Sequence, residues 1–205
     1  MRHIRILLSI VGLIYGASGL ALADERHHEV TFKVTDVPGH WFDTGADIPA
    51  VPGTRSLVII APGDTAKFHQ IVESRHTITS LVWPSDATKQ ERIDQDAANT
   101  DDHEVTLRTP GLYVYVCKLH PYMLGAVIVD DKTTDGLDIG KKLTLLVKRE
   151  VTDSENLTFD SFSNLTLRLL RAFFIVTNPS NWKDYSAANV GNKYQPTYPT
   201  HKLVI

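Results

Sequence analysis

Residues 109–131 run TPGLYVYVCKLHPYMLGAVIVDD. A Pro-Gly turn leads into a β-branched and aromatic run at 112–117, and a second apolar run begins near Gly125. Between them stand the chain's single cysteine, Cys117, then His120 three places on and Met123 three beyond that. The flanking runs have strand composition. A helix would set the methionine about 9 Å along the axis from the cysteine, and Pro121 is ill suited to a helix interior. The stretch therefore predicts a strand ending at Cys117, a tight turn, and a new strand near Gly125, with three side chains able to face one point. Pro121 also restricts His120 to extended conformations, so a ligand held there reorganises little.

Similar runs fill the chain up to about residue 148: 29–34, 56–61, 65–72, 76–83, 103–109 and 142–148. Pro52-Gly53, Pro62-Gly63-Asp64, Pro110-Gly111 and Asp135-Gly136 punctuate them, which predicts an all-β sandwich or barrel. Residues 35–54, rich in Pro and Gly, read as a long ordered loop without evident chemistry. The polar stretch 84–102 reads as solvated loop that could hold a short exposed helix. Beyond 148 the pattern changes. Phe162, Leu165, Leu169, Phe173 and Val176 recur at helical spacing, with Asp160 or Ser161 as N-cap and Asn178-Pro179 as a stop, predicting a helix over 160–177. Alternation of Leu165, Leu167 and Leu169 leaves a strand open for its first half. The last 25 residues, rich in Asn, Tyr and Pro, read as an extended tail wrapped over something.

The first 23 residues combine Arg2 and Arg5, an apolar stretch and Ala21-Leu22-Ala23, the pattern of a cleaved export signal. The expected organisation is thus a signal at 1–23, a β domain at 24–131 and a C-terminal extension at 132–205. Cleavage would leave 182 residues with 19 Lys+Arg against 24 Asp+Glu. That acidic balance argues against a nucleic-acid partner, and no later segment is apolar enough to span a membrane. No catalytic triad spacing, phosphate loop or zinc protease motif is present.

An exported chain with one cysteine cannot form an internal disulfide. Thiolate, imidazole and thioether together make a soft donor set. Structural zinc takes Cys and His without methionine, whereas two His, one Cys and a distant axial Met suit copper. A second histidine has to come from another strand. The candidates are His27, His28, His40, His69, His76, His103 and His201. His76 is favoured by its setting, APGDTAKFHQIVESRHTI, where a Pro-Gly-Asp turn opens one strand and the histidine begins the next. His69 and His103 read as surface residues on strands, and His40 and His201 as loop and tail residues.

The 109–131 stretch resembles the copper-binding hairpin of the cupredoxins, and its short Cys-x-x-His-x-x-Met loop is most similar to the amicyanin and plastocyanin-like members. The Gly63-to-His76 spacing agrees. The resemblance covers about 55–131, with 29–34 matching loosely. It implies a Greek-key β-sandwich, one type 1 copper ion, His76, Cys117 and His120 as equatorial ligands and Met123 as the axial one. With the export signal, the reading is a periplasmic or otherwise exported electron carrier rather than an enzyme. Redox proteins would dock near His120 on an apolar patch of Leu119, Pro121, Tyr122 and Leu124. A copper storage or delivery protein and a copper-bearing subunit of a larger oxidoreductase are the alternatives. Many cupredoxins have Asn after the first histidine; this chain has Thr77, whose hydroxyl could partly replace the amide. The extension has no counterpart in the small carriers.

Overall fold

The computed structural model describes residues 27–49, 51–71, 74–97, 102–147 and 156–182. Among them are eleven strands: β1 (Glu29–Val34), β2 (Phe42–Asp43), β3 (Leu57–Ile60), β4 (Thr65–Gln70), β5 (His76–Pro84), β6 (Asp94–Ala97), β7 (Asp102–Thr106), β8 (Gly111–Val116), β9 (Leu124–Val129), β10 (Lys142–Leu145) and β11 (Leu157–Asp160). One helix, α1 (Asn164–Val176), follows β11, with 3₁₀ turns at Lys89–Glu91 and Pro179–Trp182.

The strands form two facing sheets. One has the order β2-β1-β4-β7; the other runs β11-β10-β5-β8-β9-β3, with β6 also on β5. Strands β6 and β10 share one edge of β5, β6 pairing with His76–Thr79 and β10 with Val82–Pro84. From β2 to β8 every connection except β5 to β6 crosses between the sheets, which gives the Greek-key sandwich expected of the sequence. The β1 and β4 strands alternate, burying Phe32, Val34, Ala66, Phe68 and Gln70 while Lys33, Lys67 and His69 face outward. Phe68 is the centre of the inter-sheet core, stacked on Phe32 at 5.3 Å and edge-on to Tyr115 at 4.8 Å.

Strands β8 and β9 are buried at every position. Tyr113, Tyr115 and Val127 face the other sheet; Leu112, Val114, Ala126 and Ile128 face a second apolar layer with Phe173 of α1. A sheet covered on both faces has no polar alternation, which is why these two strands read as continuous apolar runs. The extension thus forms the cover: β10 and β11 extend the sheet and α1 lies on it.

All eight predicted runs are strands. Three strands went unpredicted, β2, β6 and β11, because each is short and β6 is mostly polar. Among the described residues of the 84–102 stretch, the place of the expected short exposed helix is taken by a single 3₁₀ turn, followed by β6. The helix begins later than expected, capped by Ser163, whose hydroxyl accepts from the Thr166 N–H at 3.5 Å, while Asp160 belongs to β11. Phe162 precedes the helix and is 85% exposed instead of joining its apolar stripe. The predicted export signal and most of the predicted tail fall outside the described residues, as do residues 98–101.

The 84–102 stretch owes its path to Glu91, which is buried. Its carboxylate accepts the backbone N–H groups of Thr88, Arg108 and Thr109 at 2.9, 2.8 and 2.6 Å and the Tyr113 hydroxyl at 3.0 Å. Burial alone would raise its pKa, but these donors outweigh it and hold it at about 2. A depressed carboxylate pKa adds stability above the unfolded-state value, and that contribution is lost as pH falls through the folded one. Glu91→Gln is expected to cost on the order of 3 kcal/mol at neutral pH. Denaturant melts should show the gap to wild type narrowing between about pH 4.5 and pH 2; a gap independent of pH would contradict this account.

Candidate metal centre

Cys117 leaves β8 and the chain turns at once. The His120 N–H donates to the Cys117 carbonyl at 3.1 Å, the Met123 N–H to the His120 carbonyl at 2.8 Å, and the Cys117 N–H to the Met123 carbonyl at 3.2 Å. The backbone of the three residues is therefore closed on itself. Cys117 and Met123 are fully buried and His120 is half-buried.

His76 opens β5, next to β8 in the same sheet, and is also fully buried. Its Nδ1 lies 3.8 Å from Cys117 Sγ and 3.2 Å from His120 Nδ1, and Sγ to His120 Nδ1 is 3.6 Å. Among the described residues His76, Cys117 and His120 form the one cluster of this kind, all three donor atoms lying within 4.8 Å of each other. The point equidistant from three atoms at these separations is about 2.1 Å from each, close to a metal–imidazole bond of about 2.0–2.1 Å and slightly short of a metal–thiolate bond of about 2.3 Å. The donors fit a transition-metal ion.

Groups behind the donors hold them in place. His76 Nε2 is 3.1 Å from Asp36 Oδ1 and 3.0 Å from Ser74 Oγ, and the Ser74 hydroxyl itself donates to Asp36. This fixes the ring with Nδ1 toward the cluster. Thr77 joins the two ligand segments: its N–H donates to Cys117 Sγ at 3.3 Å and its hydroxyl accepts the Lys118 N–H at 2.7 Å. That is the tie a hydroxyl was expected to supply in place of an amide.

Burial opposes charge on His76, yet the hydrogen bonds to Asp36 and Cys117 prevail and raise its pKa to about 9. Burial would likewise push the Cys117 thiol up, but bonds from His120, His76 and the Thr77 N–H bring it down to about 5.

Sequence reasoning missed Asp36, Ser74, Trp41 and Trp182. Two of these stand in the 35–54 loop, which had offered no chemistry. Ser74, two residues before His76, was a signal available in the sequence. Trp41, Tyr122 and Trp182 pack together with ring centroids 5.1–5.4 Å apart, and Tyr122 lies 6.0 Å from the His120 ring. Both indole N–H groups donate to the Val176 carbonyl. The end of α1 is thereby fastened beside the cluster. Tyr122 is buried in this cluster and Leu124 in the layer facing α1, so of the predicted patch around His120 only Leu119 and Pro121 stay exposed. Of the remaining histidines, His69 pairs with Asp102 at 2.5 Å, His40 lies 4.0 Å from Asp43, His27 packs on Gly63 and His103 is on β7, all away from the cluster. The His28 N–H donates to Asp64, and His201 is outside the described residues.

No family model matches the sequence, and no curated protein does. Similar solved structures include a purple cupredoxin from Nitrosopumilus maritimus, with 18% identity over 49% of this chain and 99% of that one at a TM-score of 0.33. Amicyanin from Paracoccus versutus shows 17% identity over 50% and 81% at 0.37. A Cu(I) form of an amicyanin variant shows 14% over 50% and 82% at 0.36. What defines the architecture here is the crossing of strands between two sheets and the meeting of the β5 histidine with the β8–β9 turn: the chain folds as a cupredoxin-like β-sandwich.

Proposed function

We propose that this chain is an exported type 1 copper protein that passes single electrons between redox partners, with His76, Cys117 and His120 as equatorial ligands and Met123 as the axial one. The observation that carries the reading is the donor triangle of one sulfur and two imidazole nitrogens, at separations that suit one ion. Copper bound there would supply a Cu(I)/Cu(II) couple whose potential follows the axial ligand and the hydrogen bonding of the thiolate.

The residues of the chain set the conditions for fast transfer. Asp36 and Ser74 lock His76, the Thr77 N–H holds the sulfur, and the closed turn holds His120, so the donors move little between oxidation states. Burial of His76, Cys117 and Met123 keeps water out and leaves no open position for a substrate, which favours a carrier over a catalyst. His120 alone among the four reaches the surface, beside Leu119 and Pro121, and that edge is where a redox protein would dock. Storage or delivery of copper is disfavoured by the same enclosure, since handing over an ion requires exposed, exchangeable donors.

Purified protein given Cu(II) is expected to develop an intense visible thiolate-to-copper absorption with a matching EPR signal, both lost in Cys117→Ser. Chelators should remove the ion slowly; rapid loss would favour delivery, and absence of the band would refute a copper–thiolate centre. Asp36→Asn, which loosens His76 without removing a ligand, should weaken copper binding by about 10–100-fold in a competition titration. Met123→Leu should keep the absorption band and shift the reduction potential.

A further inference from the structure

The second apolar layer does not close completely. Between α1 and the outer face of the seven-stranded sheet is a cavity of about 250 Å³. Val82, Val114 and Ala126 form its floor and Leu169, Leu170 and Phe173 its roof. Thr166 is the one polar side chain in the lining, and its hydroxyl already donates to the Asp160 carbonyl at 3.3 Å. Protein interiors leave few voids larger than a water molecule, and an apolar void of about 150 Å³ stays dry and takes up benzene. This one is larger and offers water nothing to bind.

The cavity also reaches the surface. Leu137 and Phe174 line it yet are 49% and 42% exposed, and Ala172 is an exposed lining residue as well. Arg168 precedes Ala172 by one helical turn and Arg171 precedes Phe174 by three residues, so each arginine neighbours an exposed residue of the lining. Both arginines are exposed, and neither pairs with an acid among the described residues. Beside Leu137, the Asp138 carboxylate accepts the Gly140 N–H at 2.7 Å. An apolar chamber whose helix carries two guanidinium groups without an acidic partner among the described residues fits an amphiphile with an anionic head.

We propose that this cavity binds the alkyl chain of a medium-chain fatty acid, with the carboxylate outside against Arg168 and Arg171. A methylene fills about the volume of a water in the liquid, about 30 Å³. About eight carbons therefore occupy the chamber, and a ten-carbon acid places its head group at the surface. The site is separate from the metal cluster and does not depend on what that cluster holds.

The test is a calorimetric and methyl-NMR titration of the full protein with hexanoate, octanoate, decanoate and dodecanoate. Affinity should rise about fourfold per added methylene and level off once the chamber is full. Perturbed methyl signals should come from Val114, Leu170 and their neighbours. Ala172→Trp should block the mouth and abolish binding; Ala126→Leu, which fills the floor, serves as the second variant, and near-UV circular dichroism verifies that each is folded. Arg168→Gln with Arg171→Gln should weaken decanoate about tenfold and leave decanol unchanged. The proposal is overturned if no chain binds at millimolar concentration, if affinity is flat with chain length, or if both folded cavity variants bind like wild type. It is equally overturned if the arginine variant has no effect on decanoate. Binding to anionic phospholipid vesicles without binding of monomeric decanoate would assign α1 to a membrane surface instead.

Discussion

The clasp between Thr77 and the Cys117 turn is the contact on which the rest of the site depends. Its N–H meets the sulfur and its hydroxyl takes the Lys118 N–H, so β5 and the β8–β9 turn are fixed at the point where both donate ligands. A buried thiolate is costly unless hydrogen-bonded and paired, and here it receives a backbone donor and two imidazoles. Rigidity follows from the same contacts, because the donor atoms cannot separate without breaking backbone hydrogen bonds of the turn.

That clasp needs a stiff frame behind it. Strands β8 and β9 supply one by being buried on both faces, with aromatic packing around Phe68 on one side and the α1 layer on the other. Glu91 adds a second anchor at the start of β8, gathering N–H groups from three residues and the Tyr113 hydroxyl onto one carboxylate. Close approach matters too: Gly125 allows Phe42 to pack against β9, since a Cβ there would come within 2.6 Å of Phe42 Cβ. At the Pro110-Gly111 turn Gly111 adopts φ +139°, a conformation that disfavours larger residues, as the first residue of β8.

The C-terminal extension serves the same frame in two ways. It covers the outer face of the sheet with α1, and it carries Trp182 to the aromatic cluster beside His120. One carbonyl, that of Val176, takes both indole N–H groups, linking the helix end to the 35–54 loop and to the ligand turn. The extension therefore narrows the surface around His120 while opening a separate apolar chamber beneath the helix.

The β-rich class, the eight principal strands, the helix and the three residues of the His76–Cys117–His120 cluster were legible in the sequence by itself. Strand periodicity and the Cys-x-x-His-x-x-Met spacing are local properties, written in neighbouring residues and in the stiffness of Pro121. Selection of His76 over six other histidines rested on its turn-and-strand setting, and only the sheet register brings it to within 3.8 Å of the sulfur. The partners of His76 were not legible, because Asp36 lies 40 residues away along the chain in a loop with no periodicity. Strands β6 and β11 were hidden for a similar reason: these four-residue segments form strands because β5 and β10 present edges to pair with. Burial of Tyr122 and Leu124, and the chamber under α1, were likewise decided by tertiary structure alone. Which face of an apolar residue meets solvent depends on what a distant segment covers, and no local pattern encodes that.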